Sequence, residues 1–210
     1  MLLFALPTWA SETFSHHPMR FEHITLDDGL SQSNILSILQ DSQGQMWFGT
    51  ENGLNRYDGY KFEQYRRQRG NTTALRSDFI FDVAEDADGN LWIATNGGGL
   101  AMRDRQSGQF TNYQHNDNDA ASIGSNIVRR VLVADDGSIW AGTREAGLNR
   151  FHRNTGTFSQ YRLMSNQGED SIFALMQDSS GAIWAGGDHG LSRINYKTGD
   201  VATYTNIEND

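Results

Sequence analysis

Residues 39–62 read LQDSQGQMWFGTENGLNRYDGYKF, and the order of residue types along this stretch decides the fold class. An acidic turn from Asp41 to Gly44 comes first. Asp at its first position can bond the turn's own backbone, and Gly at its fourth takes a positive φ at no steric cost. Trp47 follows three residues after Gly44, a second turn ends at Gly53, a third lies near Gly59, and Phe62 to Tyr65 alternates as a short strand. The same succession returns with Trp92, Trp140 and Trp184, at gaps of 45, 48 and 44 residues. Their turns are Asp86 to Gly89, Ala134 to Gly137 and Asp178 to Gly181. A period of this length is that of a propeller blade.

Each unit predicts four strands. In the fourth they fall at about 171–177, 182–185, 190–195 and 200–205. The inner two are nearly all apolar or small, as expected of a radial sheet covered on both faces by neighbouring blades, whereas the outermost alternates because it meets water. The Trp of the second strand, beside Gly49, Ala94, Gly142 or Gly186, is expected to fill the gap between blades. With 22 Gly, 2 Pro and 11% aromatics in 210 residues, the composition agrees with short strands joined by tight turns. The expected fold is an all-β β-propeller of four-stranded antiparallel blades, with four repeats present and the ring incomplete.

The repeats occupy about 30–65, 77–113, 125–161 and 170–205. Residues 21–26 (FEHITL) have the phase of an extra closing strand, and 206–210 (NIEND) resemble the start of another linker. That leaves five closing strands for four sets of the other three. If each end blade leaves roughly 400 Å² of apolar surface uncovered, at about 25 cal/mol/Å² each loses about 10 kcal/mol of burial. An open arc is therefore expected to belong to a longer chain; a compact four-bladed ring with 21–26 docked on an edge is the other arrangement. Residues 1–10, MLLFALPTWA, read as the remnant of an export signal, apolar and ending in small residues suited to cleavage, though without a basic start; 11–20 then form a linker. No other segment approaches the ~18 apolar residues needed to span a bilayer.

Seventeen Lys and Arg against 26 Asp and Glu give a net charge of −9, which disfavours nucleic acid as partner. The absence of Cys excludes disulfides, Cys-ligated zinc and a thiol nucleophile. The six His show no metal-ligand spacing, His16 and His17 being adjacent, and EDADGN from Glu85 fails as a calcium loop because Ala84 and Thr95 would occupy its ligating ends. No G-x-S-x-G, P-loop or zincin motif occurs. No catalytic residue, cofactor or metal is expected.

The units resemble the two-component regulator propeller repeat: an apolar pair, Asp, then Gly, Trp, an apolar residue, Gly, Thr, and after two residues Gly, Leu, any residue, Arg and an aromatic. Residues 39–62 match it nearly throughout, and FEHITLDDGLSQSNI from Phe21 is similar to the family's lead-in to a first blade. The second unit departs at Ala94 and Met102, the fourth at Gly187; these small changes should be tolerated. The resemblance implies the periplasmic sensor of a membrane receptor, often two seven-bladed rings, a small β-domain, a membrane helix and a cytoplasmic histidine kinase or diguanylate cyclase. Any such output domain, and an inner-membrane anchor, would belong to a full-length parent.

Loops between the second and third strands share one end of a propeller with the inter-blade linkers, and a ligand is expected there. They offer Glu51, Asn52, Asn96, Arg144, Glu145, Asp188 and His189, the polar positions that vary most between units, with Arg129 near a linker end. Polar side chains aimed at one concavity suit a polar small molecule or oligosaccharide, and the expected response is altered packing against further blades, output domains or a second protomer in a homodimer. A propeller lyase or glycoside-active enzyme using Glu145, Asp188 and His189 is the alternative, and a non-catalytic protein-interaction scaffold a third. The basic cluster Arg66, Arg67, Arg69 reads as solvated surface.

Overall fold

The computed structural model describes residues 21, 23–163, 170–188 and 190–205. They form four four-stranded antiparallel sheets, each in simple chain order from inside to outside. The first blade holds β1 (Ile35–Gln40), β2 (Met46–Thr50), β3 (Gly53–Tyr57) and β4 (Phe62–Tyr65). The second holds β5 (Ile80–Glu85), β6 (Leu91–Thr95), β7 (Leu100–Arg103) and β8 (Phe110–Tyr113). The third runs β9 (Val128–Val133), β10 (Ile139–Thr143), β11 (Leu148–His152) and β12 (Thr157–Tyr161). The fourth runs β13 (Ile172–Gln177), β14 (Ile183–Gly187), β15 (Gly190–Asn195) and β16 (Asp200–Tyr204), each within two residues of its expected bounds.

The blade turns form as the residue types require. Gly44, Gly89, Gly137 and Gly181 all have φ between 78° and 85°. Asp41 Oδ1 accepts the N–H groups of Gln43 and Gln45, both at 2.9 Å, and its Oδ2 accepts the Trp47 indole N–H at 2.8 Å. Asp86 does the same for Trp92 at 2.9 Å and Asp178 for Trp184 at 2.8 Å. In the third blade Ala134 has no carboxylate, and Trp140 donates instead to Ser138 Oγ at 3.0 Å.

Successive blades pack through their inner strands, β1 on β5, β5 on β9 and β9 on β13. Trp47, Trp92 and Trp140 are buried in these seams. Trp92 lies 5.0 Å from the Phe151 ring of the next blade and Trp140 5.5 Å from that of Tyr196. The small residue two places after each Trp answers to the first residue of the next inner strand. A Cβ at Gly49 or Gly142 would come within 2.9 and 2.7 Å of the Cγ2 of Ile80 and Ile172, whereas Ala94 shares its buried cluster with the smaller Val128. Glycine meets isoleucine and alanine meets valine, so the seam keeps its volume.

The lead-in differs from expectation. Residues 23–25 pair with no strand, and Leu26–Asp28 form a 3-10 turn closed by Thr25, whose N–H and hydroxyl donate to Asp28 Oδ2 at 2.7 and 3.0 Å. The reason is local: Thr followed three residues later by Asp makes a reciprocal cap that ends any extended run. Residues 1–20 and 206–210, read above as leader, linker and next linker, lie outside the described residues. Among the described residues no helix is long and apolar enough to cross a membrane.

Candidate functional site

The second residue of each inner strand, Leu36, Phe81, Arg129 and Phe173, stands at equivalent height in the four blades. In the last three these side chains converge. Phe81, Arg129, Arg130 and Phe173 line a cavity of about 150 Å³ at the start of the inner strands. The Arg129 guanidinium lies 4.5 Å from the Phe173 ring centroid, within range of a cation–π contact. Its Nε is buried and has no hydrogen-bond partner, and among the described residues no carboxylate forms an ion pair with it. Arg130 is engaged differently: its Nε donates to the Phe173 carbonyl at 2.7 Å and a terminal nitrogen to the Arg129 carbonyl at 3.0 Å. Arg130 thereby ties the third blade to the fourth.

Asp82, one position further along β5, accepts from Ser37 Oγ at 3.3 Å and from the N–H groups of Val83 and Val131 at 3.0 and 3.1 Å. It thereby joins three blades. Burial pushes its carboxyl above the usual carboxylate range, partly opposed by the Val131 N–H and the Arg130 guanidinium.

The rim at this end is built by the second-to-third-strand turns, held between linkers. Gly53, Gly99 and Gly147 donate their N–H groups to the carbonyls of Asp78, Asn126 and Asp170, which lead into the next blade. The Asn96, Arg144 and Asp188 N–H groups bond the Phe79, Ile127 and Ser171 carbonyls of their own blade's approach. Of the residues expected to bind ligand, Glu51 accepts from Asn34 Nδ2 at 3.0 Å and Asn52 donates to the Ser31 carbonyl at 3.1 Å, so both fasten the first linker. Asn96, Arg144, Glu145 and Asp188 are exposed on the rim, and His189 lies outside the described residues. Of the expected set, Arg129 alone lines the cavity. The aromatic members Phe81 and Phe173 were not anticipated; the signal available was their shared second place on the inner strands.

A larger recess, about 610 Å³, opens at the opposite end around Asp136, Gly137, Ser138 and residues 150–155. Its charges are already committed. Arg153 pairs with the fully buried Asp86 carboxylate at 2.9 Å, Arg150 lies 3.9 Å from Asp136 and 4.6 Å from the Tyr196 ring, and Tyr196 donates to Asp136 at 2.5 Å. Burial and the Asp136 hydrogen bond push the Tyr196 hydroxyl up to about 12. This end fastens blades, although the buried Arg150 Nε, like that of Arg129, has no hydrogen-bond partner among the described residues. The basic cluster Arg66, Arg67, Arg69 is exposed, as expected of solvated surface.

A family model described as two component regulator propeller matches residues 29–52 and 74–97. The structure is similar to an extracellular domain of a hybrid two component system from B. thetaiotaomicron, with TM-score 0.67 and 25% identity over 87% of this chain and 32% of that one. Histidine kinase P4 of Formosa agariphila is 46% identical over 55 residues, 26% of this chain and 4% of the kinase. A catalytically inactive virginiamycin B lyase from Staphylococcus aureus shares the fold, with TM-score 0.64 and 14% identity over 86% of this chain and 59% of the lyase. The chain thus spans about a third of the solved extracellular domain and a small fraction of the kinase. Residues 29–52 and 74–97 thus carry the two component regulator propeller repeat, and all four sheets share one strand order.

Proposed function

We propose that this chain is the ligand-sensing part of an exported receptor in a two-component or related signalling system, and that it holds a polar solute such as an oligosaccharide at the mouth of the hub. The observation that carries this reading is the cavity lined by Phe81, Arg129 and Phe173, where the Arg129 guanidinium packs on the Phe173 ring and, among the described residues, pairs with no carboxylate. The aromatic rings supply flat apolar faces, and Asn96, Arg144, Glu145 and Asp188 stand around the rim to meet hydroxyl groups. Support for the receptor setting comes from the extracellular and histidine-kinase relatives; the output chemistry would reside in other domains of such a receptor.

Thermal denaturation of the purified chain against a panel of neutral and uronate-bearing oligosaccharides tests this. A ligand at 100 times its Kd should add about 2.7 kcal/mol of stability. Arg129→Ala should abolish that shift while leaving the unliganded chain folded. A shift that survives Arg129→Ala would place binding elsewhere, and product formation in the same mixtures would favour the lyase-type alternative.

A further inference from the structure

We propose that the lateral cleft between the first and second blades is a second binding site, one that takes the carboxylate or sulfate groups of an acidic saccharide chain. It shares no residue with the hub cavity. The linker from β4 to β5, residues 66–79, carries Arg66, Arg67, Arg69 and Arg76 against the single carboxylate of Asp78, in a chain whose net charge is −9. The linker from β8 to β9, residues 114–127, has the same length and carries Asp117 and Asp119 with no Lys or Arg.

The scaffold does not ask for that positive charge. Both linkers brace the outer strand of the blade they lead into, and both do so with backbone carbonyls. The Thr73 carbonyl accepts the Phe110 N–H at 2.9 Å and the Ala121 carbonyl the Phe158 N–H at 2.7 Å. The Ala74 and Ser122 carbonyls accept the side-chain amides of Asn112 and Gln160 at 2.9 and 3.2 Å. A linker with two aspartates performs this role as well as one with four arginines. Arg66, Arg67 and Arg69 are exposed, and among the described residues none of the four linker arginines forms an ion pair. Exposure alone would leave them as solvated surface; their position gives them something to act on.

The first linker borders a cleft of about 320 Å³, with β4 on one side and the approach to β8 on the other. Arg66 lines it together with Gln64, Gln68, Asn71, Thr73 and Gln109. Arg103 stands behind its wall. A terminal nitrogen of that guanidinium is 3.5 Å from the Tyr65 hydroxyl and 3.2 Å from a Cβ built at Gly108, both cleft residues, and among the described residues no carboxylate pairs with it. The acid lining the cleft, Glu63, is held by Arg56. Its two rings, Tyr65 and Phe110, are half-buried and buried, which leaves little aromatic face for a nucleic-acid base and little apolar surface for a bilayer. Side-chain amides and a hydroxyl match the hydroxyl groups of sugar rings, and the guanidinium fork matches carboxylate and sulfate.

Titration calorimetry with an oligogalacturonate and a chondroitin sulfate oligosaccharide tests this, with methyl-esterified oligogalacturonate and an oligothymidylate as comparison probes. At least one acidic saccharide should bind, more weakly as salt rises, and the esterified chain should not. Arg66→Gln combined with Arg69→Gln should weaken binding by about tenfold or more. Lys197→Gln, the same loss of charge at an exposed site on the fourth blade, should change it by less than about twofold. Glutamine keeps the Cγ that Arg66 sets beside Gly53, and an unchanged unfolding midpoint verifies the fold of the double variant. Binding of neither acidic saccharide would overturn the proposal, as would equal binding of the esterified chain or of oligothymidylate. So would binding that survives in the double variant and is lost in Arg129→Ala, a result that assigns the saccharide to the hub.

Discussion

At the scale of single residues the acidic blade turn couples two jobs. Asp86 accepts from its own turn, from the Trp92 indole and from Arg153 of the following blade, and its side chain is fully buried. Asp86→Ala should cost about 3 kcal/mol in urea denaturation, because it strands a guanidinium and an indole N–H at once. Burial alone would raise the Asp86 carboxyl, but the bonds from Trp92 and Arg153 outweigh it and hold it below the ordinary range. Its contribution is therefore complete above the ordinary carboxylate value and lost as pH falls through the lowered one. Asp82 has the opposite sign. Its raised carboxyl binds a proton more tightly in the folded chain, so stability falls as pH rises from the ordinary value through the raised one. Asp82→Asn should remove that falling component from a plot of unfolding free energy against pH, and persistence of the slope would assign it to another group. The turn chemistry was legible in the sequence because Asp and Gly act on their own neighbours. The indole bond was not, since it depends on Trp47 folding back over a turn six residues earlier.

At the scale of the blade, strand order and bounds were readable from turn residues and tryptophan spacing, while the matching across seams was not. Nothing in a single repeat says that Gly142 is small because Ile172, thirty residues on, needs the room. Gly142→Ala should destabilise by about 1–3 kcal/mol through overpacking. Ile172→Val alone should cost about 1 kcal/mol for the lost methyl group. Together they recreate the Ala94 and Val128 pairing, so the double variant should be more stable than the sum of the two, as a double-mutant cycle on thermal unfolding would show. Gly186→Ala serves as the control, having ordinary contacts only. The hub site was half legible for a related reason. Arg129 was picked for its place near a linker end, whereas Phe81 and Phe173 looked like ordinary strand residues until three blades were set side by side.

At the scale of the whole molecule the row of blades behaves as a chain of nearest-neighbour seams, each blade stabilised by those it touches. The second and third blades have two seams each, and the first and fourth one each within the chain. Hydrogen exchange should therefore be slowest in β5–β7 and β9–β11 and faster in β1–β3 and β13–β15. Uniform protection across all four sheets would mean that the row unfolds as one unit.

Phe81, Arg129 and Phe173 belong to three different sheets, so the solute proposed to bind there would act as a staple across two seams, restraining the splay of neighbouring wedges.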